Sequence, residues 1–188
     1  MADITGDGKH QIFGHPVTLW DHWDIAMAKP PMRFDYTSWE PGGLYVQLGP
    51  GHKNIAGWHN LDYPEWDADK MPLPYDDETV SGIASYHTLD HLSNPIAVLA
   101  EIQRVLKPGG WFVNIVPHYS SELWHSDLTH KSQFATETWK SIFSTRHYDH
   151  AAFNVDAEWD LRIEFNLIMA YTERNTVLVT KLVKGGEG

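Results

Sequence analysis

A short apolar strand that breaks into a glycine turn is the feature that most constrains the fold of this chain. Residues 44–51 read Leu-Tyr-Val-Gln-Leu-Gly-Pro-Gly, and Asp62 ends a second strand-like stretch thirteen residues after Gly49. A glycine at the carboxyl end of a strand lets backbone amides approach a ligand that a Cβ atom would push away. An acid at the end of the second strand stands where it can accept the hydroxyls of a ribose. The pair therefore indicates a cofactor that carries a nucleoside.

The order of the predicted elements favours an α/β fold with a Rossmann-like, mostly parallel sheet. Strands are predicted from residue 44 to the glycine turn and over 58–61, 66–68, 80–86, 111–116, 161–171 and 177–183. Helices are predicted after the N-cap Asn94, as far as the stop signal of 107–110, and over 132–143. The last two strands have the spacing of a C-terminal antiparallel hairpin. Strands that alternate with helices in this way indicate a sheet covered by helices on both faces.

The length and composition of the chain limit the number of domains and the kinds of partner that we expect. We expect residues 1–43 to form an irregular arm that could cover a ligand, and residues 44–188 to form a single domain. The net charge of −11 repels polyanions, so nucleic acid is not favoured as a partner. The chain has no cysteine, its first residues lack the pattern of a signal peptide, and no apolar run approaches the ~20 residues that span a bilayer. We therefore expect a cytoplasmic protein with no membrane contact.

Several motifs follow one another in a consistent order. They are 44–51, Gly-Trp-His-Asn-Leu-Asp at 57–62, Asp-Lys-Met-Pro-Leu-Pro-Tyr at 69–75, His-Thr-Leu-Asp-His-Leu at 87–92, and Glu-Ile-Gln-Arg-Val-Leu-Lys-Pro-Gly-Gly at 101–110. Together with Asp-Leu-Thr-His at 127–130, they resemble the class I S-adenosylmethionine-dependent methyltransferases. The resemblance is to the small, methyltransferase type 11-like branch with a shortened first crossover, and it covers residues 44–136.

The resemblance implies that S-adenosyl-L-methionine is the cofactor. Gly49 and Gly51 would let the backbone pass close to its methionine part. Asp62 would hold the ribose hydroxyls, and Asp69 would accept a hydrogen bond from the adenine amino group. A sulfonium is a small cation, so acidic and aromatic surroundings suit it.

The same resemblance extends the cofactor site to four more residues. Lys70 and Met71 would contribute a backbone amide and apolar contact beside the adenine ring. Tyr86 and His87, at the end of the fourth predicted strand, would border the amino acid end of the cofactor. Asp90, three residues further on, is interpreted as surface or capping chemistry.

Candidates for catalysis follow the strand at 111–116, on a polar stretch that should lie over the carboxyl edge of the sheet. Methyl transfer needs a general base only if the acceptor must lose a proton. His118 is the first choice for such a base. His130 with Asp127 is the second choice, because a neighbouring carboxylate raises the basicity of an imidazole. Alternatively, these last two residues brace the loop. A metal site formed by His118, His125, Asp127 and His130 is a further alternative, since imidazole and carboxylate can bind zinc or iron. It is disfavoured, because the spacing of the histidines follows no helix-facing pair pattern.

The leading hypothesis is a methyltransferase that acts on a small molecule, a sugar or a protein. The main alternative is a non-catalytic binding or assembly protein that keeps the fold, because the glycine motif has Lys53 where a third glycine is usual and the first crossover helix is nearly missing. A nicotinamide-dependent enzyme is disfavoured, because no adequate helix N-terminus follows Gly51 to receive a pyrophosphate. A homo-oligomer is a further possibility, since the short crossover would leave sheet surface for a partner to cover.

Overall fold

A computed structural model describes residues 9–12, 15–18, 42–52, 54–55, 57–70, 72–143, 160–170 and 174–186. The strands within these ranges are β1 (Lys9–Ile12), β2 (His15–Thr18), β3 (Leu44–Leu48), β4 (His59–Leu61), β5 (Val80–Tyr86), β6 (Leu106–Pro117), β7 (Leu161–Ala170) and β8 (Thr176–Lys184). The helices are α1 (Pro95–Val105), α2 (Glu122–Ser126) and α3 (Thr136–Phe143), and a 3-10 turn covers Leu89–His91. None of the helices among the described residues is long and apolar enough to cross a membrane.

Six of the described strands form one mixed sheet in the order β4-β3-β5-β6-β8-β7. The pairs β3–β4, β3–β5 and β5–β6 are parallel, whereas β8 is antiparallel to both β6 and β7. The mostly parallel, Rossmann-like sheet with a C-terminal antiparallel hairpin is therefore confirmed. Because β3 lies between β4 and β5, the chain leaves β3 to one side of the sheet and later returns on its other side.

Helix α1 begins where the sequence predicts it. The Asn94 side chain accepts a hydrogen bond from the Ala97 backbone N–H at 3.3 Å, and Pro95 is the first helical residue. The inward face of the helix is buried in the main core through Val98, Leu99, Ile102 and Val105. Burial of aliphatic side chains contributes about 1.5–3 kcal/mol each, which holds the helix against the sheet.

Two predicted elements are wrong. The described residues contain no strand at 66–68; instead the Trp66 backbone N–H donates to the Asp62 carbonyl in a turn that buries the Trp66 indole in the core. The predicted helix at 132–143 begins only at Thr136. The preceding residues are held extended, because Phe134 forms a parallel bridge with His118 and its carbonyl accepts from the Tyr119 N–H.

Two short strands lie within the predicted arm, where no strand was expected. The strands β1 and β2 pair antiparallel with each other and form a separate two-stranded sheet. Most of the arm lies outside the described residues, so the lid role and the division into an arm and a single domain stay predictions. Between β3 and β4 the described residues form turns and no helix, in agreement with the predicted short crossover.

Candidate cofactor and catalytic site

The glycine turn lies at the carboxyl edge of the sheet. Leu48, the last residue of β3, is in register with Leu61 of β4 and with Ser85 of β5. The residues that follow these three positions are therefore brought level with one another. They are Gly49, Asp62 and Tyr86, and they border the point between β3 and β5 where the strand order of the sheet reverses. Ligands of open α/β sheets bind at such switch points.

Asp62 is hydrogen-bonded directly to the glycine turn. Its Oδ2 accepts the Gly51 N–H at 2.9 Å, and its Oδ1 accepts the Tyr63 N–H at 2.8 Å. The Gly49 N–H donates to the Leu61 carbonyl at 2.9 Å, so two hydrogen bonds join the ends of β3 and β4. The carboxylate is only partly buried, and each of its oxygens has a further lone pair.

The two glycines are required for different reasons. Both have left-handed φ angles, 60° at Gly49 and 55° at Gly51. A Cβ atom at Gly49 would lie 2.5 Å from Oγ1 and 2.7 Å from Cγ2 of Thr88, whereas a Cβ at Gly51 would have no atom within 4 Å. The close approach at Gly49 is thus to a side chain of the protein itself, and the open space is beside Gly51.

Asp69 already has partners in the protein. Its Oδ1 accepts the Ser93 N–H at 2.8 Å, and its Oδ2 accepts from Ser93 Oγ and from Lys131 Nζ at 3.1 and 3.2 Å. Burial acts to raise the pKa of Asp69, but the bonds from Ser93 and Lys131 outweigh it and hold that pKa below its ordinary value. Asp69 therefore anchors the start of the loop that leads into α1, with Oδ1 retaining capacity for a second donor.

Lys70, the neighbour of Asp69, is less suited to the contact with the adenine ring that was predicted for it. The Lys70 ammonium is 77% exposed and pairs with Asp67 at 2.8 Å, while the Lys70 backbone N–H donates to the Asp67 carbonyl at 2.9 Å. The predicted backbone donor is thus already engaged within its own turn. Met71 lies outside the described residues.

Tyr86 and His87 lie together at the end of β5, as predicted. Their ring centroids are 4.4 Å apart in an edge-on arrangement. His87 has a left-handed φ of 50°, and its backbone N–H donates to the Ile115 carbonyl at 2.8 Å. The left-handed region is uncommon for residues other than glycine. This conformation turns the chain out of the sheet directly beside the glycine turn, and Thr88 comes next.

His118 follows the end of β6 and is 8% exposed. Its Nδ1 lies 2.8 Å from Ser120 Oγ, and its ring packs on Tyr119 at 4.6 Å. Burial lowers the pKa of His118 below its ordinary value. The imidazole is therefore neutral near pH 7, which is the form that can accept a proton.

The second catalytic pair is arranged differently from the prediction. His130 Nε2 lies 3.0 Å from Oδ2 of Asp90, whereas Asp127 accepts hydrogen bonds from the backbone and the hydroxyl of Thr129. The interpretation of Asp90 as surface chemistry is wrong, because its side chain is fully buried. It is enclosed because the Asp90 carbonyl accepts the N–H groups of Lys131 and Ser132, which draws the later loop over the 3-10 turn.

Sequence reasoning missed Asp90, His91 and Thr88 as members of this region. The available signal was the order His87-Thr-Leu-Asp-His91 directly after a buried strand. A 3-10 turn brings residues three apart in the chain close together, so His87 and Asp90 meet. No local pattern showed that His130, forty residues further on, would join them.

The region that carries this geometry matches a known family. Residues 48–114, from the end of β3 to the middle of β6, match the family described as a methyltransferase domain. A segment of 44 residues is 43% identical to the biotin biosynthesis bifunctional protein BioHC of Teredinibacter turnerae; it makes up 23% of this chain and 8% of that protein. The chain therefore matches only a small part of this curated relative.

Solved structures extend the likeness to most of the chain. A protein described as a methyltransferase, in a complex with the Trm112 methyltransferase activator of Haloferax volcanii, is 17% identical with a TM-score of 0.61, over 90% of both chains. An S-adenosylmethionine-dependent methyltransferase of Mesorhizobium loti is 13% identical with a TM-score of 0.53, over 79% of this chain and 95% of that one. At these identities the likeness shows the fold alone. Residues 48–114 thus resemble a methyltransferase domain, and the chain shares its fold with these solved methyltransferases.

Proposed function

We propose that this chain is an S-adenosylmethionine-dependent methyltransferase whose acceptor is a small molecule, a sugar or a protein rather than a nucleic acid. The observation that carries the proposal is the hydrogen bond from the Gly51 N–H to Asp62 Oδ2 at 2.9 Å, at the switch point of the sheet. This bond fixes a carboxylate beside an open glycine turn, which is the arrangement a ribose diol requires. The net charge of −11 supports the choice of acceptor, because it repels a polyanion.

The residues present fit the cofactor at its ribose. Asp62 has lone pairs left on both oxygens and is accessible, so it would accept from the ribose hydroxyls. Gly51 leaves space in which backbone can approach a ligand. When bound, S-adenosylmethionine supplies a methyl group on a cationic sulfonium. Asp69 would reach the adenine amino group only through Oδ1, and Tyr86 with His87 would border the amino acid end.

We propose His118 as the general base for acceptors that lose a proton. Its neutral, buried imidazole at the carboxyl edge of the sheet supports this role. His130 is less suited, because both of its ring nitrogens already face protein atoms: Nδ1 the Trp124 carbonyl at 2.9 Å and Nε2 the Asp90 carboxylate at 3.0 Å. Positioning of the acceptor contributes most of the rate in either case.

Calorimetry with S-adenosylmethionine and with its demethylated product tests the proposal. The Asp62→Ala variant should bind either ligand at least about tenfold more weakly, or about 1.4 kcal/mol, because charge-assisted hydrogen bonds are lost. Asp76→Ala is the matched control, since Asp76 is an exposed acid in a turn away from the site. If the wild-type chain binds neither ligand at millimolar concentration, the enzyme proposal fails. If Asp62→Ala binds as well as the wild type, Asp62 does not belong to the site.

The second candidate function is a non-catalytic binding or assembly protein of the same fold. The observation that favours it is the reduced first half of the sheet, in which the described residues after β3 form turns and the strand expected at 66–68 is absent. Binding of neither nucleoside ligand in the calorimetry would favour this candidate. A cytoplasmic location and a homo-oligomeric state belong to the proposal under both candidates and rest on the sequence alone.

A further inference from the structure

Asp90 is a buried carboxylate without a hydrogen bond to its side chain. Its exposed fraction is zero, and within the described part of the chain neither Oδ1 nor Oδ2 has a hydrogen-bond partner of acceptable geometry. The Nε2 atom of His130 lies 3.0 Å from Oδ2. A buried carboxylate that lacks donors is strongly disfavoured unless a positive charge lies beside it. The surroundings of Asp90 must therefore supply that charge.

The tautomer of His130 is fixed by its other ring nitrogen. Nδ1 lies 2.9 Å from the Trp124 carbonyl, and a carbonyl can only accept, so Nδ1 carries a hydrogen. The ring is also stacked on the Trp124 indole, with centroids 4.8 Å apart, and its side chain is 4% exposed. In the neutral imidazole the Nε2 lone pair consequently faces the Asp90 carboxylate, so two acceptors oppose each other at 3.0 Å.

His91 is fixed in the same way by a different partner. The Thr129 hydroxyl donates its one hydrogen to Asp127 Oδ1 at 2.7 Å, so it accepts from His91 Nδ1 at 2.9 Å. The unprotonated Nε2 of His91 then lies 4.0 Å from Asp90 Oδ2. A second imidazole thus presents a lone pair toward the same carboxylate. Histidines that bind metals commonly donate their other N–H to an oxygen in this manner.

His87 supplies a third imidazole from another direction. Its Nδ1 lies 3.6 Å from Asp90 Oδ2, and one ligand atom from each of His87, Asp90 and His130 falls within 4.8 Å of the others. Ligand atoms around one ion with bonds of about 2.0–2.2 Å lie roughly 2.8–3.6 Å apart. The distances from Asp90 Oδ2 to His130 Nε2 and to His87 Nδ1, 3.0 and 3.6 Å, fall within that range. A rotation of the His87 side chain would bring the three ligand atoms around one ion.

We propose that Asp90, His130 and His87 bind a divalent transition-metal ion, with His91 as a fourth ligand. Two or three imidazoles with one carboxylate suit zinc, iron, cobalt or nickel, and do not suit magnesium or calcium, which prefer oxygen ligands. No local pattern in the sequence predicts this set of ligands, because they come from the 3-10 turn and from a distant loop. A single ion would satisfy the buried carboxylate and the opposed lone pairs together.

The position of the site links it to the glycine turn. Thr88, between His87 and the 3-10 turn, donates from Oγ1 to the Leu48 carbonyl at 3.1 Å and contacts Gly49. An ion beside this segment that expands to a fifth ligand can bind an oxygen of an acceptor and make it more acidic. The binding site itself does not depend on methyl transfer.

Zinc calorimetry on the chelator-treated full chain tests the site. We expect one ion per chain, with binding at least about 100-fold weaker in Asp90→Asn and in His130→Gln. His125→Gln is the matched control, because His125 is an exposed histidine in helix α2, close to His130 in the chain, and the zinc affinity of this variant should equal that of the wild type. Millimolar magnesium should not displace the zinc. Equal zinc affinity in the wild type, Asp90→Asn and His130→Gln would overturn the proposal.

A second measurement distinguishes the metal site from a structural ion pair of Asp90 with a protonated His130. If Asp90 is a metal ligand, the Asp90→Asn variant should have the same melting temperature as the metal-free wild type or a higher one. Zinc should raise the melting temperature of the wild type but not that of the variant. A lower melting temperature of metal-free Asp90→Asn, with no zinc effect on the wild type, would overturn it.

A third readout covers variants that fail to fold. Cobalt added to the wild type should broaden proton resonances of 86–91 and 127–132 first, and broadening centred elsewhere contradicts the site. Each of these experiments omits S-adenosylmethionine, so failure of the enzyme proposal and failure of the metal site are read separately.

Discussion

Substitution of Gly49 by alanine tests how the glycine turn is built. The new methyl group would lie 2.5 Å from Thr88 Oγ1, 2.7 Å from its Cγ2 and 3.1 Å from its Cβ, and residue 49 has a φ of 60°. Two separate costs therefore arise: the left-handed backbone and the overlap with a threonine side chain. Gly51 isolates the first cost, because it has a similar φ of 55° but no atom within 4 Å of its Cβ position.

The two costs can be given magnitudes. A left-handed conformation costs about 1–2 kcal/mol for a residue with a Cβ atom. We therefore expect Gly51→Ala to lower the free energy of unfolding by that amount. In Gly49→Ala, overpacking adds about 1–3 kcal/mol. Thr88 can relieve the overlap only by rotation, which breaks the Oγ1 hydrogen bond to the Leu48 carbonyl. The loss at Gly49 should therefore total about 2–5 kcal/mol, a large part of the ~5–15 kcal/mol that stabilises a typical domain.

Urea unfolding of four variants measures these terms. Gly49→Ala, Gly51→Ala, Thr88→Ala and the double variant Gly49→Ala/Thr88→Ala are followed by circular dichroism. Removal of the threonine hydroxyl and methyl should make Gly49→Ala less harmful, with a coupling energy of about 1–2 kcal/mol. Equal losses in Gly49→Ala and Gly51→Ala, or additive effects of Gly49→Ala and Thr88→Ala, would refute the steric argument.

Two further predictions concern helix α1. Asn94→Ala should lower the free energy of unfolding by about 1 kcal/mol, because the Ala97 N–H loses its cap, while Asn94→Ser should retain most of it; an unchanged urea midpoint in Asn94→Ala contradicts the capping role. Hydrogen bonds from Arg104 hold the pKa of Glu101 below its ordinary value of 4.5, so the stabilisation is complete above about pH 4.5 and is lost as the pH falls through the lowered folded-state pKa. Glu101→Gln should therefore be less stable at pH 7 and lose less stability in acid; unfolding curves parallel to those of the wild type at every pH would exclude this linkage.

Elements with strong local signals were predictable. The strand β5 has the bounds that its apolar run indicated, and α1 begins directly after its asparagine cap. The errors occurred where a long-range contact outweighed a local preference. The helix predicted over 132–143 begins one turn later, because Phe134 pairs with His118. The apolar Trp66 favours a strand locally, but a turn is sufficient to bury its side chain.

The candidate site shows the same difference between local and long-range contacts. The pairing of the glycine turn with Asp62 could be read from the sequence, because adjacent parallel strands bring their carboxyl ends to one edge. The partner of His130 could not be read in the same way. Asp127 is three residues away in sequence, yet the buried carboxylate beside the imidazole is Asp90, forty residues away.

The sequence by itself determined the strand and helix order, the glycine turn and the acid that meets it, because these depend on backbone preferences within a few residues and on the geometry of neighbouring parallel strands. Only the tertiary structure decided that His87, Asp90 and His130 converge. That convergence depends on backbone hydrogen bonds from 131 and 132 to the Asp90 carbonyl, and contacts over such separations leave no periodic or local trace in a single sequence.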